Sequence, residues 1–86
     1  MPLIFTDRFR KAYRKLPTNI QDKAKKALRF LDEDPRHPSL RVRKIQGTDD
    51  IFEARIDRKY RLSFQFSGDD KILRNVDNHD ECLKNP

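Results

Sequence analysis

One stretch of sequence decides the fold: IFEARIDRKYRLSFQF, residues 51–66. Apolar and polar residues alternate on both sides of the central Asp57-Arg58-Lys59, and a period of two is typical of half-buried strands. If those three residues form a hairpin loop, residue 56 lies opposite 60, 54 opposite 62 and 52 opposite 64. All six are apolar or aromatic, so this register gathers one apolar face. A shift by one residue would bring charges into the core.

The other face of the predicted hairpin carries Arg55 beside Arg61, and Glu53 beside Ser63. Like charges that lie directly opposite each other destabilise a sheet. Two guanidinium groups also offer forked donors that suit the oxygens of a phosphate. We therefore predict an anion site on this face, which we expect to face water. The alternative is that each arginine pairs with a nearby acid, either Glu53 or Asp57.

The sequence before the hairpin predicts a short strand and two helices. An apolar run at Leu3–Phe5 indicates the strand, and Thr6 is the predicted N-cap of a helix that Pro17 ends. Thr18 opens the second helix with a predicted capping box, and Asp34-Pro35 closes it. An apolar stripe runs along the second helix at helical spacing: Ile20, Ala24, Ala27, Leu28 and Leu31.

The remaining apolar positions predict further strands. Leu40, Val42 and Ile45 mark one strand before the hairpin, residues 72–76 form the last strand, and the residues after Asn78 are predicted to be a short tail. Helices followed by three or four strands indicate an α+β fold of the order β-α-α-β-β-β. We expect two N-terminal helices packed on a mainly antiparallel twisted sheet, in a single domain over residues 1–86.

The charge of the chain is strongly positive and unevenly distributed. The net charge is +6 and the isoelectric point is near 9.8. Residues 1–31 carry nine Lys and Arg against two acids. This balance favours a polyanionic partner, although a solvated basic surface with no specific role is the alternative. The candidate RNA-binding residues lie on the second helix and on the segment after it: Lys25, Lys26, Arg41, Arg43 and Lys44.

Cysteine and histidine are too few for a metal site or a disulfide. Cys82 is the only cysteine and lacks an adjacent base, so we expect a small packing residue. His37 and His79 are the only histidines, and no zinc-type spacing occurs. No apolar run approaches a membrane span, and residues 1–5 are too short for a signal peptide. We expect a cytoplasmic protein with no membrane contact, no metal and no small-molecule cofactor.

His79 follows the last predicted strand, where an imidazole could act as a general acid or base. The alternative is an exposed turn histidine that Asp77 or Asp80 holds in place.

Four segments in order resemble the RelE/ParE superfamily of toxin–antitoxin toxins. The opening segments are Phe5-Thr6-Asp7-Arg8-Phe9 with Tyr13-Arg14-Lys15-Leu16-Pro17, followed by residues 37–47, HPSLRVRKIQG. The later segments are residues 51–64, which resemble the central hairpin of the family, and residues 73–80, LRNVDNHD, which resemble its last strand and ending. The resemblance covers nearly the whole chain.

The resemblance implies a cytoplasmic toxin that a cognate antitoxin binds. It also implies a metal-independent endoribonuclease that cuts mRNA on the ribosome, through attack of the RNA 2′-hydroxyl on the adjacent phosphate. By position in the family motifs, Arg61 would stabilise the phosphate, Arg55 would be a second basic residue, and His79 would be the general acid or base. Glu53 is a further candidate base, added because it lies on the same face of the predicted hairpin as Arg55 and Arg61.

Two other functions stay open at this point. ParE-like members of the family inhibit DNA gyrase, and a non-catalytic relative would only bind an antitoxin or RNA. The aromatic residue that follows the terminal histidine in several branches is absent here, since Asp80 follows His79. The presence of His79 and Arg61 favours RNA as the target.

Overall fold

The structure is a computed structural model that describes residues 3–86, so Met1 and Pro2 of the N-terminal run lie outside the described residues. Its elements follow the predicted order and add a helix at the end. Five strands and three α-helices are present in the described part of the chain: β1 (Leu3–Phe5), α1 (Asp7–Arg14), α2 (Thr18–Glu33), β2 (Arg43–Lys44), β3 (Ile51–Arg55), β4 (Tyr60–Ser67), β5 (Asp70–Asn78) and α3 (His79–Lys84). A short 3₁₀ turn, Pro38–Leu40, precedes β2. The α+β class is confirmed.

The strands form one mixed sheet in the order β1-β5-β4-β3-β2. The edge strand β1 runs parallel to β5, and all other neighbours are antiparallel. The predicted hairpin register is confirmed, because Phe52 pairs with Phe64 and Ala54 with Leu62. The Ile56 amide donates to the Tyr60 carbonyl at 3.1 Å, which closes the hairpin around Asp57-Arg58-Lys59.

A β-bulge interrupts the regular side-chain alternation of β5. Ser63 pairs with Asn75, but Phe64 pairs with Leu73, so Arg74 is an extra residue in the ladder. The bulge turns both Leu73 and Val76 toward the same face although they are three residues apart. Both are fully buried.

The core lies between this face and the helices. The apolar stripe of α2 is buried as predicted, and Phe9 of α1 joins it. On the sheet side the buried members are Ala54, Leu62, Phe64, Leu73 and Val76. Burial of these side chains is the main favourable term in folding, since each large one contributes roughly 1.5–3 kcal/mol.

The start of α2 differs from the prediction. The N-cap of α1 is confirmed, since Thr6 Oγ1 accepts the Phe9 amide at 3.1 Å. The predicted capping box at Thr18 is wrong, because Pro17 occupies the N-cap position and no side chain caps the helix. Thr18 already lies inside the helix, where its hydroxyl cannot reach the free amides. Pro17 suits the entry, since its fixed φ leads into the helix and its carbonyl accepts the Ile20 and Gln21 amides at 2.9 Å.

The strand predicted through Leu40, Val42 and Ile45 is also largely wrong. Leu40 ends the 3₁₀ turn, and Arg41 has a left-handed backbone with φ of 47°. The strand therefore starts only at Arg43 and is two residues long. Leu40 and Ile45 are buried as separate anchors of an irregular segment.

Residues after Asn78 form α3 rather than the predicted tail. The Asn78 side chain accepts the Glu81 amide at 3.0 Å, and two acids in the first turn complement the helix dipole. This helix contacts β4 and β5 and buries Cys82. None of the helices in residues 3–86 combines the length and the apolar character that crossing a membrane requires.

Candidate active site

The polar face of the sheet is partly covered, contrary to the expectation that it faces water. Glu53, Ser63 and Asn75 share this face and are at most 7% exposed. The Asn75 side chain donates to the Asn85 carbonyl at 2.8 Å, which ties the end of α3 across the face. These three polar residues are therefore buried rather than exposed to solvent.

Glu53 is the centre of an ion-pair cluster on this face. Its Oε1 lies 3.6 Å from Arg61 Nε and its Oε2 lies 3.5 Å from Arg43 Nε. The register explains both contacts, since Arg43 pairs directly with Glu53 and Arg61 is the diagonal neighbour on β4. Each carboxylate oxygen thus faces a guanidinium. The alternative to an anion site, that each arginine pairs with a nearby acid, therefore holds for Arg61.

Arg61 is held by backbone as well as by Glu53. Its Nη1 donates to the Asp57 carbonyl at 2.5 Å and to the Tyr60 carbonyl at 2.9 Å. Its side chain is only 16% exposed. Burial lowers the pKa of Arg61, the Glu53 carboxylate opposes that shift, and Arg55 and Arg43 add to it. Arginine remains charged in proteins, so this group is a fixed cation. Within residues 3–86 its Nη2 makes no hydrogen bond.

Arg55 lies directly opposite Arg61, as predicted. It is half-buried, and its guanidinium has no acidic partner among residues 3–86. Glu53 is taken by Arg61 and Arg43, while Asp57 accepts the amides of Lys59 and Tyr60 and the Lys23 ammonium. Only Arg61 of this pair has an acidic partner, which leaves positive potential at this end of the sheet.

His79 is the first residue of α3 and sits against the hairpin loop. Its amide donates to the Lys59 carbonyl at 2.5 Å, and Nδ1 lies 3.3 Å from Asp80 Oδ1. Asn78 pairs with Tyr60 and Asp77 with Arg61 in the β4–β5 ladder. The strand pairing thus brings His79, Arg61 and Arg55 to the same end of the sheet. The contact between His79 and Asp80 fits the alternative prediction that Asp80 holds the imidazole.

Several solved structures that are similar to this chain are described as toxins or toxin–antitoxin complexes. The E. coli RelBE toxin–antitoxin complex is 27% identical, over 86% of this chain and 90% of that chain, with a TM-score of 0.68. The isolated E. coli RelE toxin is 25% identical, over 95% of this chain and 94% of that chain, with a TM-score of 0.68. YafQ from E. coli strain BL21(DE3) is 10% identical, over 93% of this chain and 94% of that chain, with a TM-score of 0.77. No protein-family model and no curated protein sequence matches.

The chain belongs to the RelE/ParE toxin superfamily. The resemblance stated from the sequence is thereby confirmed.

The predicted RNA-binding residues of this RelE/ParE-type domain are all exposed but do not form one surface. Arg43 and Lys44 line a cleft with Glu53 and Leu83, where β2 meets α3. Lys26 lines a different cleft of about 240 Å³ that Arg55 also borders. Arg41 lines neither of these clefts, so the predicted residues are divided among separate surfaces.

Sequence reasoning named Asp57 only as a possible partner of the arginines and missed its role in the hairpin loop, where its side chain accepts the Lys59 and Tyr60 amides. Burial alone would raise the pKa of Asp57, but hydrogen bonds from the Lys59 and Tyr60 amides and from Lys23 outweigh it and lower the pKa. The Asp57 carbonyl holds Arg61 at the same time. The signal for this role was an aspartate at the first position of a tight turn.

Cys82 is fully buried, as its predicted packing role requires. Burial raises the pKa of its thiol to about 11, and a weak contact with the Ser63 hydroxyl acts in the opposite direction. In residues 3–86 no three His, Cys, Asp or Glu side chains cluster in a way that could hold a metal ion.

Proposed function

We propose that this RelE/ParE-type domain is the toxin of a type II toxin–antitoxin pair and cleaves mRNA on the ribosome. Solved relatives described as toxins support the toxin role. The observation that carries the cleavage proposal is Arg61, a guanidinium held by one carboxylate and two carbonyls opposite the unpaired Arg55.

The reaction is a transesterification with a simple atom balance. The RNA 2′-oxygen bonds to the adjacent phosphorus, the bond from phosphorus to the 5′-oxygen breaks, and a 2′,3′-cyclic phosphate and a 5′-hydroxyl result. A base takes the 2′ proton, and an acid gives one to the leaving oxygen. Negative charge on the phosphate oxygens grows as the bond forms, so cations fixed beforehand are the most effective stabilisers.

Each candidate residue then has a distinct task. Arg61 directs its free Nη2 at the phosphate, and Arg55 neutralises a second oxygen. His79 exchanges protons with the RNA. Glu53 was predicted as a candidate base, but both of its oxygens face guanidinium groups and its side chain is only 6% exposed. The geometry supports Glu53 better as a positioning residue for Arg61.

A translating extract tests this proposal. The mRNA 3′ ends are mapped after addition of wild-type protein, Arg61→Ala or the matched control Arg58→Ala, an exposed arginine of the same hairpin loop. We expect cutting by the wild type and by Arg58→Ala, and a loss of about 10²–10³-fold for Arg61→Ala. Unchanged cutting by a folded Arg61→Ala protein would refute the assignment. Intact mRNA together with inhibited DNA supercoiling would assign the toxin to gyrase instead.

We also propose a cognate antitoxin as partner. The RelB–RelE complex from Methanococcus jannaschii and the E. coli DinJ–YafQ complex are solved relatives that contain an antitoxin. Since this chain carries a net charge of +6, the antitoxin segment that binds it should be acidic. We expect a gene for a small acidic protein beside the gene for this chain, and its co-expression should restore growth that the toxin alone arrests. Continued arrest in the presence of that protein as a soluble product would count against the pairing.

A further inference from the structure

A second cleft combines aromatic and basic side chains far from the candidate active site. It has a volume of about 550 Å³ and lies between the loop after α2 and the end of β4. Arg36, His37, Arg41 and Phe66 line it, with two prolines and a valine. Along β4, Phe66 is five residues from Arg61, which is roughly 17 Å and the opposite face of the sheet. The two sites are therefore separate.

Phe66 is an aromatic side chain presented to solvent. It is 46% exposed although it belongs to a sheet whose other aromatic residues are largely buried. Its ring meets Phe52 at 5.2 Å and 74° and Phe64 at 5.2 Å and 79°. Two nearly perpendicular ring contacts fix its orientation, so little side-chain entropy is lost when a flat ligand stacks on it.

The two arginines of the cleft are free to bind an anion. Within residues 3–86, neither the Arg36 nor the Arg41 guanidinium makes an ion pair, and no acid lines the cleft. Arg41 has a left-handed backbone with φ of 47°, which costs a residue other than glycine about 1 kcal/mol. A strained backbone that holds an unpaired cation is typical of a functional position.

Side-chain contacts order the loop that carries the arginines. The His37 ring stacks on Phe30 with centroids 4.0 Å apart and 6° between the planes. His37 Nδ1 accepts the Ser39 amide at 3.1 Å, and Asp34 Oδ1 accepts the Arg36 amide at 3.1 Å. These contacts order the backbone from which the two arginine side chains extend beside the exposed ring.

We propose that this cleft binds a segment of single-stranded RNA, with one base stacked on Phe66 and phosphates held by Arg36 and Arg41. Single-stranded nucleic-acid sites combine these two elements, an aromatic platform and basic groups along the backbone. An acidic protein helix is the competing occupant, but one exposed ring offers too little apolar area to hold a helix. The site goes beyond the proposed cleavage, because it binds RNA without reacting with it.

Binding of a fluorescent single-stranded oligoribonucleotide, followed by anisotropy, tests the proposal. All proteins carry Arg61→Ala so that the probe is not cut. We compare Phe66→Leu, which keeps apolar volume without a π face, and the pair Arg36→Ala with Arg41→Gly, in which glycine suits the left-handed backbone. The matched control is the pair Arg10→Ala and Arg14→Ala, two exposed arginines of α1. Thermal unfolding checks that every variant is folded.

We expect Phe66→Leu to weaken binding by about 5- to 150-fold, the loss that removal of one stacked base produces. The Arg36 and Arg41 pair should reduce the slope of log K against log salt by about 1.4, which is 0.7 per phosphate contact. A folded Phe66→Leu protein that binds like its parent would overturn the proposal, as would a larger loss in the α1 control. Tighter binding of a poly-glutamate peptide than of RNA at this cleft would also overturn it. Cleavage by the protein with Arg61 intact is measured separately, so either proposal can fail alone.

Discussion

Replacement of Glu53 by glutamine should reveal how much the ion-pair cluster contributes to stability. The change keeps the shape of the side chain and removes its charge, which leaves Arg61, with a side chain only 16% exposed, beside a neutral group. Two unit charges 3.6 Å apart interact by about 4–5 kcal/mol at an effective dielectric constant near 20. Desolvation of the two groups offsets part of this attraction, so roughly half of it, about 2 kcal/mol, should remain as net stabilisation.

We therefore expect Glu53→Gln to lower the free energy of unfolding by about 2 kcal/mol. In a domain of this size each kcal/mol shifts the midpoint by roughly 4–8 °C, so the melting temperature should fall by roughly 8–16 °C. Urea unfolding followed by circular dichroism measures the free energy, and a thermal melt measures the midpoint.

Arg43→Gln is the matched control, because it removes the other partner of the same carboxylate. The Arg43 side chain is 69% exposed, and exposed ion pairs contribute about 1 kcal/mol or less. Adding Arg61→Gln completes a double-mutant cycle with Glu53→Gln, in which we expect a coupling energy of about 1–2 kcal/mol. If the Glu53 and Arg61 changes are additive, or if Arg43→Gln destabilises as much as Glu53→Gln, the proposed positioning of Arg61 is refuted.

Three further outcomes follow from the same structure. Because the pKa of Asp57 is lowered in the folded protein, its stabilisation is present above the unfolded-state pKa near 4 and is lost as pH falls through the folded-state pKa. Asp57→Ala should therefore lower the free energy of unfolding by about 1 kcal/mol at pH 7 and by progressively less in acid. A constant difference in unfolding free energy between the variant and the wild type from pH 7 to pH 2 would contradict this. With a pKa of about 11, the Cys82 thiol is ionised in roughly one molecule in a thousand at pH 8. Ellman's reagent should therefore react with Cys82 only after the protein unfolds. Rapid reaction of the folded protein would show that α3 does not cover the thiol. Phe64→Ala should destabilise by about 3–5 kcal/mol in urea unfolding, because its fully buried ring leaves a cavity; a loss under 1 kcal/mol would place the core elsewhere.

The hairpin was predictable because one physical rule governed it. Apolar residues on alternate positions of two strands leave only one register that buries them, and Phe52 with Phe64 shows that register. The same rule failed on β5. Leu73 and Val76 are both core residues three positions apart, which strict alternation excludes, and the bulge at Arg74 resolves the conflict.

The burial of the polar face could not be predicted without α3. This helix has six residues and one fully buried side chain, Cys82, so no apolar period identifies it. A capping signal was nevertheless present, since Asn78 precedes two acids and Lys84 closes the segment. Glu53 therefore seemed a solvent-exposed base from the sequence, while the structure gives it two arginine partners beneath a helix.

The chemical nature of the cut RNA ends tests the central claim most directly. The account predicts 5′-hydroxyl and 2′,3′-cyclic phosphate ends from wild-type protein in a translating extract, and no cutting where the nucleotide before the scissile phosphate lacks its 2′-hydroxyl. Products with 5′-phosphate and 3′-hydroxyl ends, or cutting that persists at the deoxy position, would contradict it.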